Sequence, residues 1–589
     1  FVTQSPVKVS VITTKKINSY LQSAGTNLTK IVQLISGAQE VIACGDCYTN
    51  SININGLEGP YTSILMDEVP MYGNLASVYG LNGIPNMIID RLEIIKGPSS
   101  TLYGSEAVAG VINIITKNPE DQPFLSLDVQ ATSHLESYVN MALTPKFGKT
   151  IGYFGFNWDR KNNYDDYNFD GFGDDINLDR FSIFNKWNIY RKSNKKFVIS
   201  SRYFYEDRRN GVEEFLKNKN YKKIRGSSEI YGESIFTYRF ELFGKYEFDS
   251  IENFELNFSY SKHNQNSYYG SDYYKANQDI FFSQFTLKRK YKKHDLLYGF
   301  SIKNNLYDDN TIATQKIVDG QLINNESNQF VPGLLFQDQF NPNEKTSIVG
   351  GLRIDHFNEH GFVYAPSFHI KYNPGDWLAF RLNLGTGFRL VNLFSEDHAF
   401  VSGQREVKIL EELNPERSRS AILNTNYIYT GLNGSGNLDF DLFYTYFSNK
   451  IIPNYDDQRY IVYQNTEGYS FSKGFSGAWN HTFLNRIAIS LNFNHQLVKY
   501  SQSQNNKSVL LDVEHSPKWT AGLNLKFPLN KKWSLNSSSN FVGVMQLPKV
   551  FDLDQNGELN SKSRPEKSKP FSIHNINVEG KYIFIFFIF

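Results

Sequence analysis

The sequence predicts an all-β transmembrane barrel of about 20 antiparallel strands, preceded by a compact mixed α/β domain over residues 1–120. Three observations carry this. The chain has 589 residues and a mean hydropathy of −0.44, and no run approaches the ~18 apolar residues that a membrane-crossing helix needs, so helical spans are excluded. Aromatic residues make up 15 % of the chain, with 47 Phe and 37 Tyr, which suits a lipid-facing wall with interfacial girdles better than a soluble core. After Pro119 the apolar pattern settles into period two.

The N-terminal part has a different pattern. VKVSVITT reads as a strand, and SYLQSAGTNLTKIVQLI as a short helix opened by Thr and Asn. Between Asp90 and Lys117 the chain reads DRLEIIKGPSSTLYGSEAVAGVINIITK. Leu92 and Ile94, then Val111, Ile112, Ile114 and Ile115, mark short buried strands, while Gly97-Pro98, Gly104 and Gly110 permit tight turns and close backbone approach. A phosphate-binding loop is the competing reading of these glycines, but no Gly-Lys-Ser/Thr follows them.

This segment resembles the plug signature of TonB-dependent outer-membrane transporters, close to ERIEVIRGPASALYGSGAIGGVINIITK, with Lys96 in place of the usual Arg. The resemblance implies that residues 1–120 form a plug inside the lumen of a barrel of about 22 strands formed by residues 121–589. It implies a location in the outer membrane of a Gram-negative bacterium, surrounded by lipid, and energy coupling through TonB, ExbB and ExbD. No segment matches the family's TonB box clearly. No basic and apolar leader opens the chain, which reads as a processed start or a fragment.

In the second part, Phe254, Leu256, Phe258 and Tyr260 alternate with Glu255, Asn257, Ser259 and Ser261, and Leu378, Phe380, Leu382 and Leu384 with Ala379, Arg381, Asn383 and Gly385. The pattern returns at Leu438, Phe440 and Leu442 against Asp439 and Asp441, at Ile487 to Phe493, and at Trp519 to Phe527. One face meets lipid and the other a polar lumen. A soluble sandwich also alternates, but it would rarely need strands so long or so aromatic. Short turns at 147–149, 341–343, 373–375 and 530–532 read as periplasmic. Long polar segments near 162–180, 207–228, 308–328, 393–418, 501–516 and 549–569 read as outer loops. The count stops near twenty strands, and the terminal YIFIFFIF loses the alternation, so the barrel is expected to be short by one hairpin.

Net charge is +1, which gives no reason to expect nucleic acid as a partner. The two cysteines, Cys44 and Cys47, form one CxxC with Asp46 between them. The resemblance places their loop at the plug apex, facing cargo. Two readings stay open: a short-loop disulfide in an oxidising envelope, or a seat for a soft metal such as copper or zinc. Tyr61, Met71 and Tyr72 are expected to face cargo from neighbouring apex loops, with plain plug packing as the alternative. Arg91 and Glu93 are expected to pair with charges on the barrel wall.

The segment GTGFRLVNLFSEDHAF, followed by LEELNPERS, is similar to the paired boxes of outer-membrane haem receptors that flank a histidine ligand. His398 occupies the corresponding interval, a candidate metal or haem ligand, although Phe388-Arg389-Leu390-Val391 and Asn414-Pro415-Glu416-Arg417 both depart from the haem pattern. His356 and His360 form a second candidate. Asp165, Asp166, Asn168, Asp170, Asp174 and Asp175, and separately Asp552, Asp554, Asn556 and Glu558, are candidate calcium loops, the latter without its closing Glu because Ser563 stands there.

The function expected is uptake of a scarce metal complex, a ferric siderophore first and haem or cobalamin next, with no resident cofactor and no catalysis. A copper or zinc chelate is the alternative cargo. From other classes, an outer-membrane lipase or protease would need a Ser/His/Asp set that no spacing singles out, and a porin or adhesin has no use for a plug.

Overall fold

The computed structural model describes residues 6–17, 28–44, 49–70, 75, 83–104, 106–191, 195–311, 314–318, 321–390, 406–409, 413–466, 468–504, 507–553 and 559–580. The plug contains β1 (Val9–Thr13), a hairpin of β2 (Ala38–Cys44) and β3 (Thr49–Ile54), then β4 (Thr62–Met66), β5 (Val69–Pro70), β6 (Ile89–Lys96) and β7 (Gly110–Thr116). Five of these form a mixed sheet in the order β1-β6-β7-β4-β5, in which only β4 and β7 run parallel. The near-continuous apolar run of β7 is explained by its central place, buried on both faces. The expected first helix is present as Leu28–Ile31 followed by a 3-10 turn at Val32–Leu34; its predicted opening lies outside the described residues.

Two glycines of the motif are required by geometry. Gly110 has φ +154°, and a Cβ there would stand 2.2 Å from the carbonyl oxygen of Ile95 on the adjoining strand. Gly97 has φ +91°, and its Cβ would meet Ile422 of the barrel wall at 2.5 Å. One glycine therefore lets two plug strands close together, and the other lets the plug lie against the wall.

Among the described residues the wall is a sheet of 22 strand segments. Two of its staves are each divided into two segments: Lys146–Phe147 continues Glu136–Leu143 along the stave Thr150–Lys161, and Lys507–Asp512 and Trp519–Pro528 both pair with Ala488–Gln504. The described residues thus pass along the wall twenty times, the number the alternation predicts. The first and last staves, Leu125–Ala131 and Phe571–Gly580, adjoin in the sheet order. No residue register joins them among the described residues, and both are unusually exposed, with Leu127 at 65 % and Ile576 at 73 %.

Alternation sorts the side chains as expected. Leu438, Phe440 and Leu442 point outward, while Asp441 between them is 1 % exposed. Inward-facing residues make buried charge networks: Arg202 and Arg239 both bind Glu241, and Arg180 and Arg208 both bind Glu206. A buried charge needs this kind of close compensation. Two outer connections differ from expectation. Residues 501–516 are largely strand, carried by Ala488–Gln504 and Lys507–Asp512, because a hairpin tip needs few residues. An outer loop at 448–469, not expected from the sequence, carries Ile451–Asn454 and Tyr460–Asn465.

Candidate functional site: the contacts between plug and barrel

The plug is held in the lumen by separate polar clusters. At its first strand, the Lys8 ammonium binds Asp439 and lies 3.0 Å from Asp441. Lys96, at the end of β6, binds the same Asp441 and reaches the carbonyl of Ser36 at 3.1 Å and the hydroxyl of Ser476 at 3.2 Å. One wall carboxylate thus joins two separate plug strands. Elsewhere Lys186 of the wall binds Asp67 at 3.0 Å and Thr116 at 2.8 Å, and Lys303 binds Glu106 at 2.6 Å.

The second cluster lies at the base of the outer loops. Arg389 ends the stave Leu378–Arg389 and Glu416 begins the next one, Glu416–Gly431, so the two close the base of the segment 390–415 with an ion pair of 3.0 Å. Glu416 also accepts the Tyr61 hydroxyl at 2.8 Å and the Ile451 amide at 2.9 Å. The Arg389 guanidinium lies over the Tyr61 ring at 4.2 Å, close enough for a cation–π contact. Alongside, Lys450 of the neighbouring loop binds Glu58 of the plug at 2.7 Å. The two loops are joined again above this base, where Glu406–Ile409 pairs with Tyr460–Tyr463. The arginine of the first box and the glutamate after Asn414-Pro415 in the second therefore act together as a clamp on the plug apex.

Tyr61, expected to face cargo, is 2 % exposed and lies inside this clamp against Phe447. Arg91 and Glu93 do not bind the wall as expected: they pair with each other at 2.8 Å, with Arg91 also on Asp90 at 2.9 Å and Glu93 accepting from Asn113 at 3.2 Å. They stand two apart on one strand and so share a face, which supplies a nearer partner than the barrel. Among the described residues the plug's wall-binding charges are instead Lys8, Glu58, Asp67, Lys96, Glu106 and, at its end, Glu120; only Lys96 carried a sequence signal, as the variant position of the motif. Cys44 ends β2. Cys47, Met71, Tyr72 and His398 lie outside the described residues. His356 stacks edge-on against Phe362 and His360 against Phe388. In the first acidic loop Asp166, Asp170 and Asp174 accept backbone amides of their own loop, and no group of three metal-ligating side chains occurs among the described residues. Of the second acidic loop, 554–558 lie outside them.

An outer cleft of about 350 Å³ lies beside the clamp, lined by Asp456, Lys499, Tyr500, Glu514, Lys549 and Glu566 among others. Burial pushes the Glu514 carboxyl up to about 7, with neighbouring Glu58 and Asp456 adding to the rise and Lys450 opposing it. The folded state then keeps a proton that the unfolded chain, with an ordinary carboxylate near 4.3, has released. Stability therefore falls as pH rises from about 4 through 7. Glu514→Gln is expected to flatten that slope and to raise the melting temperature at pH 8, as thermal denaturation from pH 5 to 9 will read.

The fold and the clamped plug define a plugged outer-membrane receptor, and the comparisons agree. Residues 137–583 match the family described as TonB dependent receptor-like, beta-barrel, and residues 2–111 the TonB-dependent receptor plug domain. The chain belongs to the TonB-dependent receptor family, whose members are transport proteins of the Gram-negative outer membrane and not enzymes. It is similar to the vitamin B12 transporter BtuB of Vibrio vulnificus, 31 % identical over 126 residues that cover 21 % of each chain. It is also similar to the iron-regulated outer membrane virulence protein of Vibrio cholerae, 24 % identical over 440 residues, or 72 % of this chain and 63 % of that protein. The chain thus spans under two thirds of the length of these curated relatives. In fold it resembles the siderophore receptor PirA of Acinetobacter baumannii, with TM-score 0.74, 16 % identity, and coverage of 98 % of this chain and 92 % of that one. It likewise resembles the ferric enterobactin receptor PfeA of Pseudomonas aeruginosa, seen with enterobactin, with TM-score 0.73, 17 % identity, and coverage of 98 % and 92 %.

Proposed function

We propose that the protein takes up a scarce metal complex, a ferric siderophore first and haem or cobalamin next, across the outer membrane, driven by TonB with ExbB and ExbD. The observation that carries this is the clamp of Arg389 and Glu416 on Tyr61, which ties the base of an outer loop to the plug apex. Cargo that moves that loop changes the plug's seat through the same two side chains. The polar part of the seat is divided into separate ion pairs, beside apolar contacts with the wall, and these pairs can break and re-form, as a repeating transport cycle requires. Similarity to a B12 transporter and to siderophore receptors supports the siderophore and cobalamin readings. Cargo contacts are assigned to the outer cleft and to Cys44, Cys47, Met71, Tyr72 and His398. A copper or zinc chelate is the second reading, supported by the single Cys44–Cys47 CxxC of the sequence.

Growth of a deletion strain on single sources of ferric siderophore, haem, cobalamin or copper tests the proposal, together with titration of each into the purified protein. Growth defects on none of them, and no binding, would overturn it. His398→Ala with unchanged haem affinity would remove that residue from the site.

A further inference from the structure

On the outer surface of the barrel, near its periplasmic end, is an apolar depression of about 500 Å³ lined by Phe254, Phe285, Leu287, Tyr298, Phe300 and Phe336 among others. Tyr298, Phe300 and Phe336 are each more than 40 % exposed, so the depression opens toward lipid. It sits directly above the turn between Asp272–Tyr291 and His294–Asp309, whose sequence Lys288-Arg289-Lys290-Tyr291-Lys292-Lys293 has five cations in six residues. Arg289 follows Leu287 by two positions and therefore shares its outward face.

Among the described residues no acid lies closer than 4.0 Å to any of these cations. Lys288 and Lys290 stand 4.0 Å from Glu255 and Asp295. Arg289 donates to the carbonyl of Glu252 at 2.6 Å, and Lys293 to the carbonyl of Pro342. Lys292 lies 5.4 Å from the Tyr291 ring centroid. Several nearby acids are held by other partners: Glu255 by Lys245 at 2.8 Å, Asp249 by Arg191 at 2.8 Å, and Asp338 by His294 at 2.8 Å, while Asp295 accepts from the Asn341 amide at 3.2 Å. An apolar depression at membrane depth with surplus positive charge at its interfacial edge fits one amphiphile: an acyl chain above and an anionic phosphate below.

We propose that this is a binding site for an anionic glycerophospholipid of the periplasmic leaflet, with one acyl chain in the depression and its headgroup phosphate on Arg289, Lys292 and Lys293. The site would anchor the barrel's depth and rotation in the membrane independently of cargo.

The test is native mass spectrometry of the delipidated full-length protein offered equal amounts of phosphatidylglycerol and phosphatidylethanolamine with the same acyl chains. Phosphatidylglycerol is expected in excess on the order of fivefold, the effect of one cation engaged near an anionic surface. The variant Arg289→Gln, Lys292→Asn, Lys293→Gln is expected to abolish that excess; Asn suits position 292, whose φ is +52°. Lys531→Gln, Lys532→Gln at another periplasmic turn should leave it intact. Equal retention of both lipids by the parent, or an undiminished excess in the triple variant, would overturn the proposal; the parent measurement stands whether or not the variants fold.

Discussion

Asp441→Asn is expected to be the most damaging single substitution in the seat of the plug. It removes the negative charge shared by Lys8 and Lys96, of which Lys96 is 3 % exposed, and leaves that buried ammonium with neutral oxygens of Ser36 and Ser476 but, among the described residues, no carboxylate in contact. Breaking such a pair from one side costs about 3–5 kcal/mol. A fluorophore on Ser10→Cys in a Cys44→Ser, Cys47→Ser background will report release of β1 in urea, and its midpoint should fall well below that of the parent while the barrel transition stays put. Asp441→Asn combined with Lys96→Met should recover part of the loss, because the stranded charge goes with its partner. An unchanged β1 midpoint in Asp441→Asn would mean that the plug is held by other contacts.

The second large effect is expected at the clamp. Glu416 is 1 % exposed and serves Arg389, Tyr61 and the Ile451 amide together, so Glu416→Ala breaks a buried ion pair from one side and removes two further hydrogen bonds, at a cost of about 3–5 kcal/mol. The segment 390–415 should then be cut faster by protease, and cargo affinity should fall with it. A double-mutant cycle of Tyr61→Phe with Glu416→Gln should give a coupling of about 1.5–3 kcal/mol, the range for a hydrogen bond to a charged group. Coupling near zero would show that loop and plug apex do not communicate through this bond.

Much of the fold was legible because period two determines which side of a stave a residue occupies. That rule put Asp439 and Asp441 in the lumen and Leu438, Phe440 and Leu442 in lipid before any contact was known. The plug motif was legible through glycines that only close packing explains. Which lumen charge meets which plug charge was not legible: Lys8 and Asp441 are 433 positions apart, and every inward carboxylate looks alike in one dimension. Arg91 and Glu93 misled for the opposite reason, since their ionic partners are each other and the adjacent Asp90, two positions away or closer. The run SQSQNNKS reads as a loop from its polarity, but staves that extend beyond the membrane can be polar on both faces, so composition there no longer separates strand from loop.

The plug sheet also has a mechanical direction. Its first strand, β1, lies at the sheet's edge and among the described strands is bonded only to β6, in an antiparallel ladder that begins at Val9 opposite Ile95 and ends at Thr13 opposite Arg91. Tension applied to the chain ahead of Lys8 and directed away from that edge loads the rungs one after another, as a zip is drawn, and never all at once as in shear. The first element to bear the load is the Lys8 ion pair, and the rungs behind it yield in sequence. A modest force is thereby sufficient to strip this strand while the central strands β6, β7 and β4, each bonded on both sides, keep their shape.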